Sequence, residues 1–161
     1  EGRDIRCFRS YRLTHGEKIA ALGRTQWAIL GPEQKILRFE QSGFPADFPF
    51  PKAAAIDAPP TRLRDDLTQD ELVYTHLVRA TDIDMGRHMN NVVYIRLLLD
   101  QWTADFHNRH VVKRFEIAYM NEGLPEQTVQ ISVDDRSDDC TMEISHGSEP
   151  LCRTRIVFEN R

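Results

Sequence analysis

The sequence predicts an α+β chain in which an antiparallel sheet wraps around one long helix. Three observations predict it. A strand-like run at 71–80 leads through a compact polar turn into a single helical pattern. Four alternating segments then follow in succession. No second crossover helix separates those four segments, which favours antiparallel connections.

The elements follow in order. Residues 3–30 read as two strands. Cys7, Arg9, Tyr11 and Leu13 alternate against Phe8, Ser10 and Arg12, and Thr14-His15-Gly16-Glu17 offers a glycine-containing turn. The second strand runs from Ile19 to Leu30, with Gly31-Pro32 closing it. Residues 42–61 hold Pro45, Pro49, Pro51, Pro59 and Pro60, five of the chain's eight prolines. Proline fixes φ and donates no backbone hydrogen bond, so this stretch reads as an extended linker over a surface. A helix is expected to start near Asn90 or Asn91, whose short amides accept from first-turn N–H groups. Its apolar stripe is Val92, Ile95, Leu99, Trp102 and Phe106, widened by Leu97 and Leu98. The four later strands are 111–120, 128–134, 140–146 and 151–158, with turns at Asp135-Arg136-Ser137-Asp138 and Gly147-Ser148-Glu149-Pro150. The expected organisation is a partial N-terminal unit at 1–41, a linker at 42–70 and a complete C-terminal unit at 71–161.

The two ends of the chain echo each other. His15-Gly16-Glu17 precedes Leu22-Gly23-Arg24-Thr25, and His146-Gly147-Ser148-Glu149 precedes Leu151-Cys152-Arg153-Thr154. Arg24 maps onto Arg153 with an offset of 153 − 24 = 129. A duplicated unit would place the counterpart of Leu72 at 72 − 129 = −57, so roughly 60 residues of the first unit are expected to be absent. Two lone strands bury no core, so association with a second copy or with the missing segment is expected.

Apolar residues make up 40% of the 161 and charged residues 29%, enough for a packed core. No apolar run approaches the roughly 18 residues that span a bilayer, so no membrane role is expected. A net charge of −4 argues against a nucleic-acid binder. Cys7, Cys140 and Cys152 are odd in number and lack CxxC spacing, which fits free thiols in the reducing cytoplasm. Glu1-Gly2-Arg3-Asp4 is neither a signal peptide nor an initiator methionine, so a removed leader or a longer parent is expected.

The chemistry concentrates in Arg79-Ala80-Thr81-Asp82-Ile83-Asp84-Met85-Gly86-Arg87-His88-Met89-Asn90-Asn91-Val92-Val93-Tyr94. Read without any relative, Asp82 and Asp84 are turn residues, His88 a capping or packing group, Asn90 and Asn91 helix-start residues and Glu122 a solvated charge. Asp82, Asp84 and His88 form a weak metal-ligand pattern with no further ligand, so no metal or other cofactor is expected. The cysteines lie in strand patterns that favour inert thiols. His107 and His110 fall at a helix end, where a cation is favourable. Arg109, Lys113 and Arg114 make a basic cluster, read either as a solvated strand end or as a dock for an acidic partner.

The element order is that of the hotdog fold. The 79–94 segment resembles the second-domain signature of the acyl-acyl carrier protein thioesterases, roughly Asp-Leu/Ile-Asp-x-Asn-x-His-Val/Met-Asn-Asn-x-x-Tyr. Ala118-Tyr119-Met120-Asn121-Glu122-Gly123 resembles that family's second catalytic segment, and Ala21 to Leu30 the closing strand of its first hotdog. The resemblance implies a thioester hydrolase of fatty acid biosynthesis that releases free fatty acid. Its substrate would be an acyl-phosphopantetheine thioester on acyl carrier protein. Carried over by position, Asp84 orients and polarises, His88 contacts the carbonyl or assists proton transfer, and Glu122 activates water. Gly86, Asn90 and Asn91 fall at substrate-binding positions. A thioester carbonyl is already electrophilic, so one activated water and a few donors toward the oxyanion suffice, with the first helical turn supplying N–H groups.

Two positions depart from the pattern. Gly86 stands where the family has asparagine, and Gly123 stands where plant members have cysteine. Loss of an oxyanion donor typically costs about 100- to 1000-fold in rate. The alternatives are therefore a non-catalytic acyl-binding or scaffolding hotdog, in which Gly86→Asn would create turnover, and an acyl-CoA thioesterase.

Overall fold

The computed structural model describes residues 6–45, 47, 49, 53–58, 62–63, 71–134 and 138–161. The N-terminal tetrapeptide, Pro51, Pro59, Pro60 and the turn residues Asp135, Arg136 and Ser137 lie outside the described residues. The chain divides into two compact units, 1–60 and 61–161.

In the first unit, β1 (Arg6–His15) and β2 (Lys18–Leu30) form an antiparallel hairpin, and β3 (Ile36–Leu37) adds to β2. Gly16 sits at φ 60°, a left-handed conformation that glycine adopts without a Cβ penalty. The Arg24 guanidinium lies 4.3 Å over the Phe8 ring and donates to the carbonyl of Ile56, while the N–H of Ala55 donates to Ser10. Residues 55–58 are thus tied to this hairpin through Ser10 and through Arg24, which also donates to the carbonyl of Ala58. None of the described residues of this unit is buried, and Leu13, Ile19, Trp27 and Leu30 are exposed.

The second unit holds a five-stranded antiparallel sheet in the order β4-β6-β7-β8-β5. Its strands are β4 (Glu71–Leu77), β5 (His110–Tyr119), β6 (Thr128–Val133), β7 (Asp139–His146) and β8 (Glu149–Asn160). Alternation places Val129, Ile131 and Val133 of β6 on one face with Cys140, Met142 and Ile144 of β7. The pairs Ile131↔Ile144 and Met142↔Thr154 continue that face into β8. Helix α1 (Asn91–Leu99) packs Val93, Tyr94, Leu97 and Leu98 into the same core.

The helical stretch differs from the spacing that announces it. It is two segments, with α2 (Ala104–Arg109) following a break at 100–103. The N–H groups of Gln101 and Trp102 turn back to carbonyls three residues earlier, tightening the last turn, and the Thr103 hydroxyl caps α2 at the N–H of Phe106. Trp102 and Phe106 still reach the core, stacked with each other and edge-on to Phe158, but they come from beyond the break. Val92, the first residue of the expected stripe, is 69% exposed.

The echo between the chain ends is also geometric. Both hairpins turn over two residues, paired His15↔Lys18 and His146↔Glu149, with a left-handed glycine, Gly16 at φ 60° and Gly147 at φ 59°. Each carries a register shift just before its turn, at Leu13/Thr14 and Ile144/Ser145.

One buried acid ties β4, the following loop and α1 together. Asp82 is 3% exposed, and both of its oxygens are engaged. Oδ2 accepts from the Arg79 N–H at 2.9 Å and from the His76 ring at 2.7 Å, and Oδ1 accepts from Arg96 on α1 at 3.1 Å. The Asp82 carbonyl accepts from the N–H of Asn90, the α1 cap. Burial raises the acid's pKa, but the Arg79, His76 and Arg96 hydrogen bonds outweigh it and hold the carboxyl below the usual 3.8.

Because the folded pKa is depressed, the stability Asp82 supplies is complete above the ordinary aspartate range and disappears as acid protonates it. Asp82→Ala is expected to cost about 3 kcal/mol at neutral pH, since it leaves the Arg79, His76 and Arg96 donors without their acceptor. Urea melts from pH 7 down to pH 3 should show that deficit narrowing below about pH 4. A deficit that stays constant with pH would refute the assignment.

Candidate active site

The loop from Ile83 to Met89 is closed at its base by a bridge between those two residues. The Asp84 N–H donates to the His88 carbonyl at 3.1 Å, and the Arg87 N–H donates to the Asp84 carbonyl at 3.0 Å. Arg87 takes φ 65°, which completes the reversal. The Asp84 side chain accepts from the Gly86 N–H at 2.7 Å, a local turn bond that fixes the carboxylate. These bonds place the side chains of Asp84 and His88 at the two ends of one short loop.

His88 stands between two carboxylates. Its Nδ1 lies 3.8 Å from Asp84 Oδ1, and its Nε2 lies 3.9 Å from Glu122 Oε1. These separations exceed a hydrogen bond but are well within the range of a charge interaction. His88 and Asp84 are about one-third exposed, at 34% and 32%, while Glu122 is open to solvent at 71%. An open cleft is lined by Ile83, Asp84, Met85, Gly86, His88 and Asn90.

Glu122 reaches this loop because its neighbour Gly123 is held from two sides. The Gly123 carbonyl accepts from the Met89 N–H at 2.7 Å, and its N–H donates to the buried Tyr94 hydroxyl at 2.8 Å. A Cβ on Gly123 would lie 3.0 Å from the Tyr94 hydroxyl and 3.2 Å from Met89 Cβ. The glycine therefore permits the β5–β6 loop to approach α1 closely. Burial raises the Tyr94 pKa above its ordinary 10, and burial pushes Tyr119, packed edge-on against it, up to about 12. Tyr119 donates to the Asn91 carbonyl.

Of the three acid–base positions expected from the sequence, Asp84 and His88 line this cleft, and Glu122 faces the His88 ring at 3.9 Å. Gly86 and Asn90 line the cleft as well. Asn90 is the α1 cap, its side chain accepting from the Val92 N–H at 2.9 Å, so one first-turn donor is already used. Asn91 is exposed at the first turn of α1. Sequence reading gave no part to Tyr94, His76 or Arg96. For Tyr94 the signals were its place as the closing tyrosine of the 79–94 pattern and an aromatic hydroxyl on a buried helix face, which needs a partner.

Other candidates separate from the site. Both Asp82 oxygens are taken by donors, so it does not join Asp84 and His88 as a ligand set. Among the described residues, no group of three His, Cys, Asp or Glu side chains is arranged to hold a metal ion. Cys140 and Cys152 are buried, and burial pushes the Cys152 thiol up to about 12, far from a reactive thiolate. The basic cluster is balanced: Arg109 pairs with Asp105 at 2.6 Å, Lys113 with Glu159 at 3.0 Å and Arg114 with Glu116 at 2.9 Å. No helix among the described residues is long and apolar enough to cross a membrane.

Comparison with known proteins agrees with this architecture. No curated protein matches the sequence. Among solved structures, an acyl-ACP thioesterase from Bacteroides thetaiotaomicron superposes with a TM-score of 0.84 at 23% identity, covering 99% of this chain and 65% of that one. The 12:0-ACP thioesterase from Umbellularia californica superposes with a TM-score of 0.76 at 13% identity, with the same 99% and 65% coverage. At these identities the likeness is one of fold, and the fold is the hotdog. The chain spans about two-thirds of the length of each of these neighbours, 65%. Residues 66–159, more than half of the chain, match the model of the acyl-ACP thioesterase C-terminal domain, and the chain belongs to that family.

Proposed function

We propose that the protein hydrolyses fatty acyl thioesters carried on the phosphopantetheine of acyl carrier protein. The observation that carries this reading is His88, flanked at its two ring nitrogens by Asp84 at 3.8 Å and Glu122 at 3.9 Å, at an open cleft. Family membership supports the substrate class.

Glu122, the more exposed carboxylate, takes a proton from water as the water oxygen bonds to the thioester carbon. The carbonyl π electrons move onto oxygen, giving a tetrahedral oxyanion. When that intermediate collapses, the C–S bond breaks and the sulfur leaves as a thiolate. His88 passes it a proton and recovers one from Glu122. One water is consumed, and one fatty acid and one thiol are released. Asp84, held by the Gly86 N–H, keeps the imidazole oriented. Positioned proton transfer of this kind contributes about 100- to 10,000-fold in rate.

Titration of thiol released from long-chain acyl carrier protein tests the reading. His88→Ala and Glu122→Gln are each expected to lower kcat by at least about 100-fold. Release at the His88→Ala level by the wild type would refute it. Competing acyl-CoA against the carrier-protein thioester identifies the carrier, and a preference for acyl-CoA removes the carrier protein from the proposal.

Tyr94→Phe removes the hydroxyl that holds Gly123. It should destabilise the fold by about 1–2 kcal/mol, because a buried N–H loses its acceptor. It should also lower kcat by about 10-fold through a misplaced Glu122. Urea melts and initial rates read the two effects separately, and an unchanged kcat would separate the Tyr94 contact from the chemistry.

A further inference from the structure

We infer that Gly86 is a positioning residue: its missing side chain leaves the space in which the His88 imidazole stands between Asp84 and Glu122. The inference rests on the thioesterase reading above. A Cβ built on Gly86 would lie 2.6 Å from His88 Nε2, 3.1 Å from His88 Cε1 and 3.0 Å from Asp84 Oδ1. The ring therefore lies directly over the backbone of residue 86. The nitrogen met at 2.6 Å is the one that faces Glu122.

Backbone conformation does not explain the glycine. Gly86 lies outside the left-handed region that favours glycine, which its neighbour Arg87 occupies at φ 65°. Space explains it. Moreover, the atoms nearest the hypothetical Cβ belong to the ends of two side chains, not to packed backbone. A substituent at 86 thus has an easy response, which is to turn the imidazole aside. The loop bonds at Asp84, Arg87 and His88 run through main-chain atoms and survive the change. The expected consequence is a folded protein with His88 out of line. The same clash applies to asparagine, the residue that the sequence pattern leads one to expect here. In this chain the imidazole and an asparagine side chain compete for one place, so Gly86 and the His88 position form a matched pair.

The test uses Gly86→Ala and Gly86→Asn, each in the wild type and in His88→Ala, in the intact protein. Displacement of a reacting group by about 1 Å costs on the order of 100-fold, so kcat should fall by about that factor with KM within a few-fold. Melting temperature should stay within about 3 °C, since no core contact is lost. In His88→Ala, neither substitution should lower the residual rate further, because the effect acts through the ring. A nuclear Overhauser contact between the His88 ring and the Gly86 α-protons, read on the wild type, tests the placement independently of activity. Its presence, with the non-additive loss, supports the inference. Its absence overturns it, as do Gly86→Ala with full kcat, Gly86→Asn with raised kcat, or an equal loss in His88→Ala. A wild type with the contact but no turnover refutes the hydrolase reading and with it the positioning of His88 for catalysis by Gly86, while the ring's placement stands.

Discussion

Asp82 is a carboxylate almost sealed from water and satisfied by a strand residue, a loop N–H and a helix side chain. Each donor comes from a different piece of the second unit: His76 from β4, Arg79 from the start of the loop and Arg96 from α1. A buried charge of this kind is tolerated only when its partners are all in place, so it discriminates strongly against arrangements in which one piece is displaced. The 83–89 loop leaves directly from it, and its carbonyl holds the cap of α1. The placement of Asp84 and His88 is thereby inherited from a buried group that does not line their cleft.

The second half of the site arrives from a distant stretch of sequence. Glu122 lies on the β5–β6 loop, and main-chain bonds at Gly123 bring it to Met89 and Tyr94. Acid–base chemistry needs side chains held within a fraction of an ångström, and flexible loops supply that only when their backbones are pinned. Here a helix hydroxyl and a loop N–H provide the two pins. Glycine at 123 is the condition for both, since the approach leaves little room for a side chain.

Much of this was readable in the sequence. Strands at 128–133 and 139–146 announce themselves because one face of the sheet is core and the other is polar, so the alternation is strict. Asp84, His88 and Glu122 were singled out by the family resemblance rather than by periodicity, and the two carboxylates lie 3.8 and 3.9 Å from the His88 ring. The break at 100–103 was not, because Trp102 and Phe106 happen to continue a helical spacing that the chain abandons after Leu99. Only the Thr103 hydroxyl hints at a new start, and threonine is common inside helices too. The partners of Asp82 were hidden for a different reason. An aspartate in a tight turn has a sufficient local explanation, and nothing in the linear chain says that Arg96, fourteen residues on, closes over it. The space above Gly86 was equally invisible, since a missing side chain reads as a loss until a neighbour is seen occupying the vacated volume.

The bond from Gly123 to Tyr94 has a consequence for how such a protein changes. Tyr94 shares α1 with Val93, Leu97 and Leu98, the residues that set the helix's depth in the core. Any repacking that shifts or rotates this helix also drags Gly123 and, with it, Glu122 on the neighbouring loop. The packing of the core and the placement of Glu122 are therefore mechanically geared together along this helix, and a variant that enlarges the core should be expected to disturb that placement.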